Sequence, residues 1–326
     1  MIITRTPLRI SLGGGGTDLP SYYESFGGLV LSAAINKHVY ITVNRTFRAG
    51  YLLKYAQTEH TENLDDIKHG LLRESLRLME IEPMVELVSI ADVPAGTGMG
   101  SSGSFTVGLL HALNAYRRRK ISTEELARCA NHIEMKVLGE PCGKQDHYIA
   151  AYGGLTAQEY HPDGSVTISP LLLSEETIRD LQENLMLFFT GYSRRAAKIL
   201  DDQKSRSEKG DSEMLENLHF IKDLGIRIKD RLEGGDVLAF AELMNEHWDH
   251  KKARSKNISN DHVNRLYDLA RDNGALGGKL VGAGSGGFLM FYAGDKAALR
   301  AVMAAEGLQE MDFAFDFDGS IIELRR

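Results

Sequence analysis

The sequence predicts an α+β protein of two domains, and three observations carry this prediction. The chain has 326 residues, 43% of them hydrophobic, which is enough to bury more than one core. Short apolar or β-branched runs alternate with helical patterns through the first half. An apolar run at 185–190 followed by further helical patterns predicts a second unit, so the expected domains are 1–180 and 181–326.

The elements of the first domain follow from hydrophobic periodicity and capping residues. Strands are predicted at 8–12, 29–33, 38–44, 51–54 and 85–90. Apolar residues at helical spacing predict a helix over 64–81, and another helix is expected to begin near Ser104. Ser122 with Glu125 three residues later forms a capping box, which predicts the start of a further helix.

The second domain begins with the predicted strand at 185–190. Gly234 and Gly235 are expected to end one helix, and Asp236 to cap the next. Apolar and polar residues alternate over 311–317, and Asp318-Gly319 is a strong turn signal. A β-hairpin between 311–317 and 320–324 is therefore expected at the end of the chain.

Composition limits the classes of function. A formal net charge of −7 argues against nucleic acid as a main partner, so an anionic substrate would need a local basic patch. The sequence contains no run of about 18 apolar residues, so a membrane span is not expected. The N-terminus lacks a signal-peptide pattern, and two cysteines, Cys129 and Cys142, suit a reducing compartment. A cytoplasmic location is therefore expected.

The segment Val93–Ser104 is the most informative stretch, because glycines and serines lie between a predicted strand and a predicted helix. Converging backbone N–H groups at a helix N-terminus form an anion site, which favours a nucleotide phosphate loop over a plain glycine-rich turn. Gly98-x-Gly100-x-x-Gly103 also matches the dinucleotide fingerprint. That fold requires a strand after the helix, whereas the capping box at Ser122 opens another helix.

Three further clusters contain candidate functional residues, each with a structural alternative. Asp18 follows Gly13–Gly16 and either binds sugar hydroxyls or closes a tight turn. Glu134, which precedes Asp146, either pairs with a base or metal or forms a surface salt bridge. Lys279–Gly287 predicts a glycine-rich hairpin between apolar strands. His247 and His250 have no matching third ligand, so no zinc site is expected.

Three segments in order, Pro7–Asp18, Pro94–Ser104 and Lys279–Gly287, resemble the motifs of the GHMP kinases, which include galactokinase, homoserine kinase, mevalonate kinase and phosphomevalonate kinase. The resemblance implies an N-terminal domain like domain 2 of ribosomal protein S5 and a ferredoxin-like C-terminal domain. It also implies ATP along the middle motif and the phosphate acceptor between the domains.

The resemblance further implies roles for individual residues. Asp146 would receive or orient the acceptor's hydroxyl proton, and Arg9 would keep Asp146 ionised. Ser102 and Glu134 would hold Mg²⁺. ATP would contact Pro94, Gly96, Gly98, Met99, Gly100, Ser101, Ser102 and Gly103. The sugar would contact Gly15, Thr17, Asp18, Gly284 and Arg194.

Within that family the chain looks most like the D-glycero-D-manno-heptose 7-phosphate kinases, on the segments 6–11, 14–18, 94–102, 145–148 and 190–194. Such enzymes form the 1,7-bisphosphate for nucleotide-activated heptose and surface polysaccharide. A sugar phosphate needs a second anion site, which either Arg194, Arg195 and Lys198 or Lys251, Lys252 and Arg254 could supply, unless both groups are solvated helix faces. A neutral-sugar kinase similar to fucokinase or galactokinase and a non-catalytic sugar-binding relative are the alternatives. Self-association into a homodimer is left open.

Overall fold

Two β-sheets organise the chain in a computed structural model that describes residues 1–191, 197–255, 258–284 and 286–325. The strands are β1 (Ile2–Gly14), β2 (Gly28–Arg45), β3 (Tyr51–Lys54), β4 (Thr58–Thr61), β5 (Val85–Ala91), β6 (Leu155–Tyr160), β7 (Val166–Pro170), β8 (Leu185–Phe189), β9 (Ala275–Leu280), β10 (Phe288–Ala293), β11 (Gln309–Met311) and β12 (Ile321–Arg325).

The helices lie between these strands and are α1 (Pro20–Phe26), α2 (Gly70–Leu78), α3 (Ser101–Tyr116), α4 (Thr123–His132), α5 (Gln145–Tyr152), α6 (Glu175–Asn184), α7 (Ala197–Glu208), α8 (Ser212–Glu233), α9 (Val237–Arg254), α10 (Asp261–Asp272) and α11 (Lys296–Ala305). A 3-10 turn covers Leu64–Asp66, and a π-helical segment, Ile133–Val137, extends α4. Among the described residues, no helix is long and apolar enough to cross a membrane.

The first sheet has the strand order β12-β1-β2-β5-β3-β4, with β6 and β7 added beside β2. The long strand β2 makes this branching possible, because its first half pairs with β6 and its second half with β5. Helix α3 packs against β1 and β2 and is apolar on nearly every side, so it is buried within the main core. Gly108 allows the close approach, since a Cβ there would lie 2.7 Å from Oγ1 of Thr6.

The second sheet has the order β11-β8-β10-β9, and all its neighbouring pairs are antiparallel. Its strands and helices follow the ferredoxin-like β-α-β-β-α-β pattern, with extra helices in the first crossover. A core around Trp248 and Phe291 lies between this sheet and helices α10 and α11. The α+β fold with a ferredoxin-like second part is thus confirmed, whereas the division at residue 180 stays a prediction.

The helix predicted over 64–81 is wrong in its first half. After the 3-10 turn the chain leaves helical geometry, and α2 begins only at Gly70. The carboxylate of Glu59 accepts hydrogen bonds from the backbone N–H groups of Lys68 (2.7 Å) and His69 (3.2 Å). The ring of His69 then caps α2. A side chain from β4 therefore takes the donors that a continuous helix would have used.

The hairpin predicted at the end of the chain is also wrong. Strand β11 pairs with β8 in the second sheet, whereas β12 pairs with β1 in the first. Oδ1 of Asp316 accepts hydrogen bonds from the N–H groups of Asp318 (3.0 Å) and Gly319 (3.1 Å), so an aspartate side chain closes the turn. The tail connects the two sheets instead of folding on itself.

Candidate active site

A cleft of about 1140 Å³ collects residues from all three glycine-rich segments. The first segment contributes Arg9 and Asp18 to its walls. The second contributes Gly98, Gly100, Ser101 and Ser102, and the third contributes Gly282–Gly284. Residues of β1 and α9 contribute to the same walls, so the cleft is built from both halves of the chain.

The middle segment forms a loop that leads directly into α3. Gly96, Gly98 and Gly100 have φ values of +81°, +82° and +75°, a region that side chains disfavour. Helix α3 begins at Ser101, three residues before the predicted start, and Gly100 offers its first turn no side-chain cap. The free N–H groups and the positive end of the helix dipole therefore face the cleft, as an anion site requires.

The second and third segments touch through their backbones. A Cβ at Gly98 would lie 2.7 Å from the carbonyl oxygen of Val281, and one at Gly282 would lie 2.5 Å from Cα of Gly98. Lys251 fixes the backbone of the third segment, because its Nζ donates to the carbonyl oxygens of Leu280 (2.8 Å) and Gly282. The predicted hairpin between β9 and β10 is confirmed, and its loop supports the middle one.

Arg9 and Asp146 form an ion pair beside the middle loop. Nε and Nη2 of Arg9 both lie 2.8 Å from Oδ1 of Asp146, and Nη1 donates to the carbonyl oxygen of Gly98. The backbone N–H of Arg9 also donates to the carbonyl oxygen of Met99 at 3.1 Å. Arg9 is buried, whereas the side chain of Asp146 retains 28% exposure, which leaves the carboxylate accessible from the cleft.

Glycines at 100 and 103 make room for this carboxylate. A Cβ at Gly103 would lie 2.7 Å from Cβ of Asp146, and one at Gly100 would lie 3.1 Å from its Cγ. Gly103 is therefore a packing position and does not line the cleft, and the side chain of Met99 is buried in the core. The remaining six residues expected to contact ATP do line the cleft.

Asp18 lies in the cleft wall and is held by the backbone. Its carboxylate accepts hydrogen bonds from the N–H groups of Gly16 (3.1 Å) and Gln145 (3.1 Å). Gly143 packs against it so tightly that a Cβ there would lie 1.8 Å from Oδ2. Burial, and to a lesser extent the charge of Asp146, raises the pKa of Asp18 above its ordinary value despite these hydrogen bonds.

Thr17, predicted to contact substrate, has a different position. It is fully buried, and its hydroxyl donates to the carbonyl oxygen of Leu29 (2.9 Å) while accepting from the N–H of the same residue (3.1 Å). Thr17 is absent from the cleft wall, whereas Gly15 and Gly284 are part of it. Arg194 and Arg195 lie outside the described residues.

Glu134 is buried and paired, so the surface salt bridge considered from the sequence is wrong. Its Oε2 lies 2.8 Å from Nε2 of His147, a partner on α5 that sequence reasoning missed. Burial alone would raise the pKa of Glu134, but hydrogen bonds from His147 and Ser102 outweigh it and hold the pKa below its usual value. Cys142 lies nearby, and burial raises the pKa of its thiol.

A group of buried basic side chains lines another part of the cleft. His247, Lys251 and Arg254 lie on one face of α9, and Lys279 of β9 joins them, with its Nζ 3.1 Å from Nδ1 of His247. Burial and the neighbouring charges of Arg254 and Arg9 lower the pKa of Lys251 to about 7. We call these four residues the cation wall.

The other basic and imidazole side chains of α9 lie apart from the cation wall. His250 stacks on Phe220 with ring centroids 3.5 Å apart, so it does not face His247. Lys252 forms an ion pair with Asp249 at 2.9 Å and lies over the ring of Trp248. The three basic residues predicted as one group therefore lie on different faces of α9. Lys251 and Arg254 line the cleft, and Lys252 does not.

Known proteins resemble this chain both in sequence and in fold. The family model for the GHMP kinase N-terminal domain matches residues 67–154, and the model for the GHMP kinase C-terminal domain matches residues 228–307. The D-glycero-alpha-D-manno-heptose 7-phosphate kinase of Campylobacter jejuni is 32% identical over 332 residues, covering 98% of this chain and 97% of that protein. A galactokinase of Pyrococcus furiosus is 25% identical over 88% of this chain and 87% of its own.

Among solved structures, the crystal structure of a D-glycero-D-manno-heptose 1-phosphate kinase from Bacteroides thetaiotaomicron matches with a TM-score of 0.80 and 27% identity, and each chain is covered completely. Kinases of this family transfer a phosphoryl group to a hydroxyl acceptor and use ATP. The ordered segments, the shared fold and the full-length similarity lead to one conclusion: the chain belongs to the GHMP kinase family, in which it is a sugar kinase homologue.

Proposed function

We propose that the protein phosphorylates the anomeric hydroxyl of D-glycero-D-manno-heptose 7-phosphate with ATP, giving the 1,7-bisphosphate and ADP. The observation that carries this proposal is the position of the Arg9–Asp146 pair between an anion-binding loop and the buried carboxylate of Asp18. Full-length similarity to a kinase named for heptose 7-phosphate supports the choice of sugar. The reaction would take place in the cytoplasm. Its product would be a precursor of nucleotide-activated heptose, which is used for surface polysaccharide.

Asp146 would act as the proton acceptor. As the sugar oxygen bonds to the γ-phosphorus, its proton passes to the carboxylate of Asp146, and the bond from the γ-phosphorus to the bridging oxygen of ADP breaks. Phosphoryl transfer depends mainly on positioning and charge neutralisation, so the 2.8 Å contacts from Arg9 matter by fixing the direction of this carboxylate.

The phosphates would lie along Gly98–Ser102, where free N–H groups of α3 face the cleft. Ser102 and Glu134 fit a hard divalent cation, because both offer oxygen ligands and the Ser102 hydroxyl is near enough to help lower the pKa of the Glu134 carboxyl. Mg²⁺ bound there would neutralise phosphate charge. His147 would act as a positioning residue, since its ring holds the carboxylate of Glu134 at 2.8 Å.

The sugar would lie against Asp18, whose carboxylate is fixed by two backbone N–H groups and can accept hydrogen bonds from ring hydroxyls. The nucleobase would take the opposite end of the cleft, where the rings of Tyr55, His69 and Phe105 contact one another. Residues of three separate elements thus provide a separate place for each part of the two substrates.

The test is ATP turnover with heptose 7-phosphate, unphosphorylated heptose, fucose and galactose as acceptors, with the product identified by phosphorus NMR. Heptose 7-phosphate should be the best acceptor, and its product should carry phosphate on C1 and C7. Faster turnover of fucose or galactose would refute the choice of substrate. Absence of turnover with every acceptor would favour a non-catalytic sugar-binding protein.

A further inference from the structure

The cation wall brings four basic side chains together, and burial lowers the pKa of each of them. His247, Lys251 and Arg254 lie at positions i, i+4 and i+7 of α9, so they share one face of the helix. Within the described ranges, the acceptors bound by Lys251 are the carbonyl oxygens of Leu280 and Gly282, and those bound by Arg254 are also neutral. The charge of Asp18 partly offsets the lowering of the pKa at Arg254, but in the part of the chain that the structure describes the two side chains share no hydrogen bond or ion pair. The buried guanidinium therefore has no direct anionic partner there, which is unusual for a buried cation.

Arg254 provides a second, independent observation. The residue is only 7% exposed, and its Nη2 is buried without a hydrogen-bond partner among the described residues. The other donors are occupied, because Nε bonds to Asn217 (2.9 Å) and Nη1 to Gly15 and Gln203 (3.3 Å each). A buried guanidinium N–H without an acceptor destabilises the protein unless a ligand supplies the acceptor.

The first glycine-rich segment makes room for this guanidinium. A Cβ at Gly16 would lie 2.5 Å from Nη1 of Arg254, and φ there is +87°, so a side chain would be strained and would displace the guanidinium. The N–H of Gly16 donates to Asp18, and Asp18 in turn accepts from Gln145, the neighbour of Asp146. Arg254 also donates to the carbonyl oxygen of Gly15, and the charge of Asp18 acts on its guanidinium, so Arg254 lies beside the carboxylate taken here as the sugar contact.

We infer that Arg254 and Lys251 form a subsite for a phosphate monoester carried by the sugar at the end opposite its anomeric carbon. The inference rests on the proposed function, because it takes Asp18 as the sugar contact and Asp146 as the reacting group. A phosphate dianion suits the site better than a carboxylate, since it offers three acceptor oxygens and two negative charges to a guanidinium and an ammonium.

The lowered pKa of Lys251 agrees with this assignment. Burial is the largest cause, followed by the charges of Arg254 and Arg9, and all three would be offset by a bound dianion. Lys252 is a matched control one position away, because it is paired with Asp249 and makes no contact with the cleft. A general attraction of anions to α9 would involve Lys252, whereas the proposed subsite does not.

The experiment compares heptose 7-phosphate with unphosphorylated heptose in the wild-type enzyme and in Arg254→Gln, Lys251→Met and Lys252→Gln. We expect Arg254→Gln and Lys251→Met to raise the KM for heptose 7-phosphate at least tenfold. In Arg254→Gln the KM for ATP and the turnover of unphosphorylated heptose should stay within twofold. Lys251→Met also removes the donor that holds Leu280 and Gly282, so it should raise the KM for ATP as well. Lys252→Gln should match the wild type, and Arg254→Lys should recover part of the loss.

Two results would overturn the inference in different ways. If the wild type prefers heptose 7-phosphate and both cleft variants keep that preference within twofold, the phosphate binds elsewhere and the proposed function stands. If the wild type does not distinguish the two sugars, the proposed function fails and the subsite fails with it. Thermal unfolding of each variant identifies a folding defect, and Arg254→Lys with Lys251→Met then decides the question if Arg254→Gln does not fold.

Discussion

Gly143→Ala tests whether the position of Asp18 governs sugar binding. The added Cβ would lie 1.8 Å from Oδ2 of Asp18, whereas real Cβ atoms essentially never approach another heavy atom within 3.0 Å. The carboxylate must therefore withdraw by at least about 1.2 Å, the difference between these distances. Its hydrogen bonds from Gly16 and Gln145 are both 3.1 Å long, so a shift of this size breaks at least one of them.

The magnitude follows from the strength of those bonds. A hydrogen bond to a charged group contributes about 1.5–3 kcal/mol, so the loss of one or both predicts a decrease of about 1.5–6 kcal/mol in the free energy of unfolding. We expect the lower end of this range, because burial already raises the pKa of Asp18 and the displaced carboxyl can take up a proton. Sugar affinity should fall about tenfold to a hundredfold, which corresponds to about 1.4–2.8 kcal/mol.

The assay measures the KM for sugar, the KM for ATP and the denaturant midpoint of Gly143→Ala. The matched control is Gly139→Ala in the same loop, where φ is +70° and a Cβ would meet nothing within 4 Å. The control should lose about 1 kcal/mol through backbone strain and keep its sugar KM. A wild-type sugar KM in Gly143→Ala would refute the reasoning that the backbone holds Asp18 for the substrate.

The remaining predictions concern the other charged groups. Asp146→Asn should keep an acceptor for Arg9 and lower kcat by about 10²–10⁴ with little change in the KM for ATP, so a kcat within tenfold of wild type would exclude a base role. Glu134→Gln should raise the Mg²⁺ concentration needed for half-maximal activity, and an unchanged titration would contradict the metal role. Because the pKa of Lys251 is lowered to about 7, its charge is lost above that pH. The KM for heptose 7-phosphate should therefore rise from pH 7 to 9 in the wild type but not in Lys251→Met, and a flat wild-type profile would contradict this.

Local backbone chemistry made the middle loop predictable. Gly96, Gly98 and Gly100 adopt the left-handed conformations that glycine favours, and the helix follows them directly. The conformation of the loop and the position of the following helix therefore depend on a short stretch of neighbouring residues, which a sequence pattern can show. The error in the start of α3, at Ser101 instead of Ser104, is small because Gly100 could serve either as a loop residue or as the N-cap.

Pairs that are distant in the sequence could not be predicted in the same way. His147 follows Glu134 by 13 residues, and the two meet because α4, which the π-helical segment extends, packs against α5. The sequence did indicate that Glu134 lies at the edge of an apolar face. It could not indicate that the partner is His147, because spacing along the chain did not distinguish between a base, a metal and a surface salt bridge.

The alternating residues at the end of the chain show a related difficulty. Alternation predicts a strand with one buried face, but it does not specify the neighbouring strand. Here β11 pairs with β8 and β12 with β1, because Asp316 uses its side chain for the turn and for a 2.9 Å contact with His38. Asp318-Gly319 therefore correctly predicted that the chain turns at this point. It did not predict that the segments on either side pair with other strands.

Lys251 and Lys252 show what a charge pattern alone does not reveal. Adjacent helical residues point about 100° apart, so one can be buried while the other reaches solvent. The side that is buried depends on how closely α9 lies on β9, and Gly277 determines that distance, because a Cβ there would lie 1.8 Å from the carbonyl oxygen of Ala241. This close contact brings Nζ of Lys251 to the carbonyl oxygen of Leu280 at 2.8 Å. A glycine inside an otherwise apolar strand is thus the sequence signal that a helix lies directly on it, and basic residues on the facing side of that helix are candidates for ligand binding.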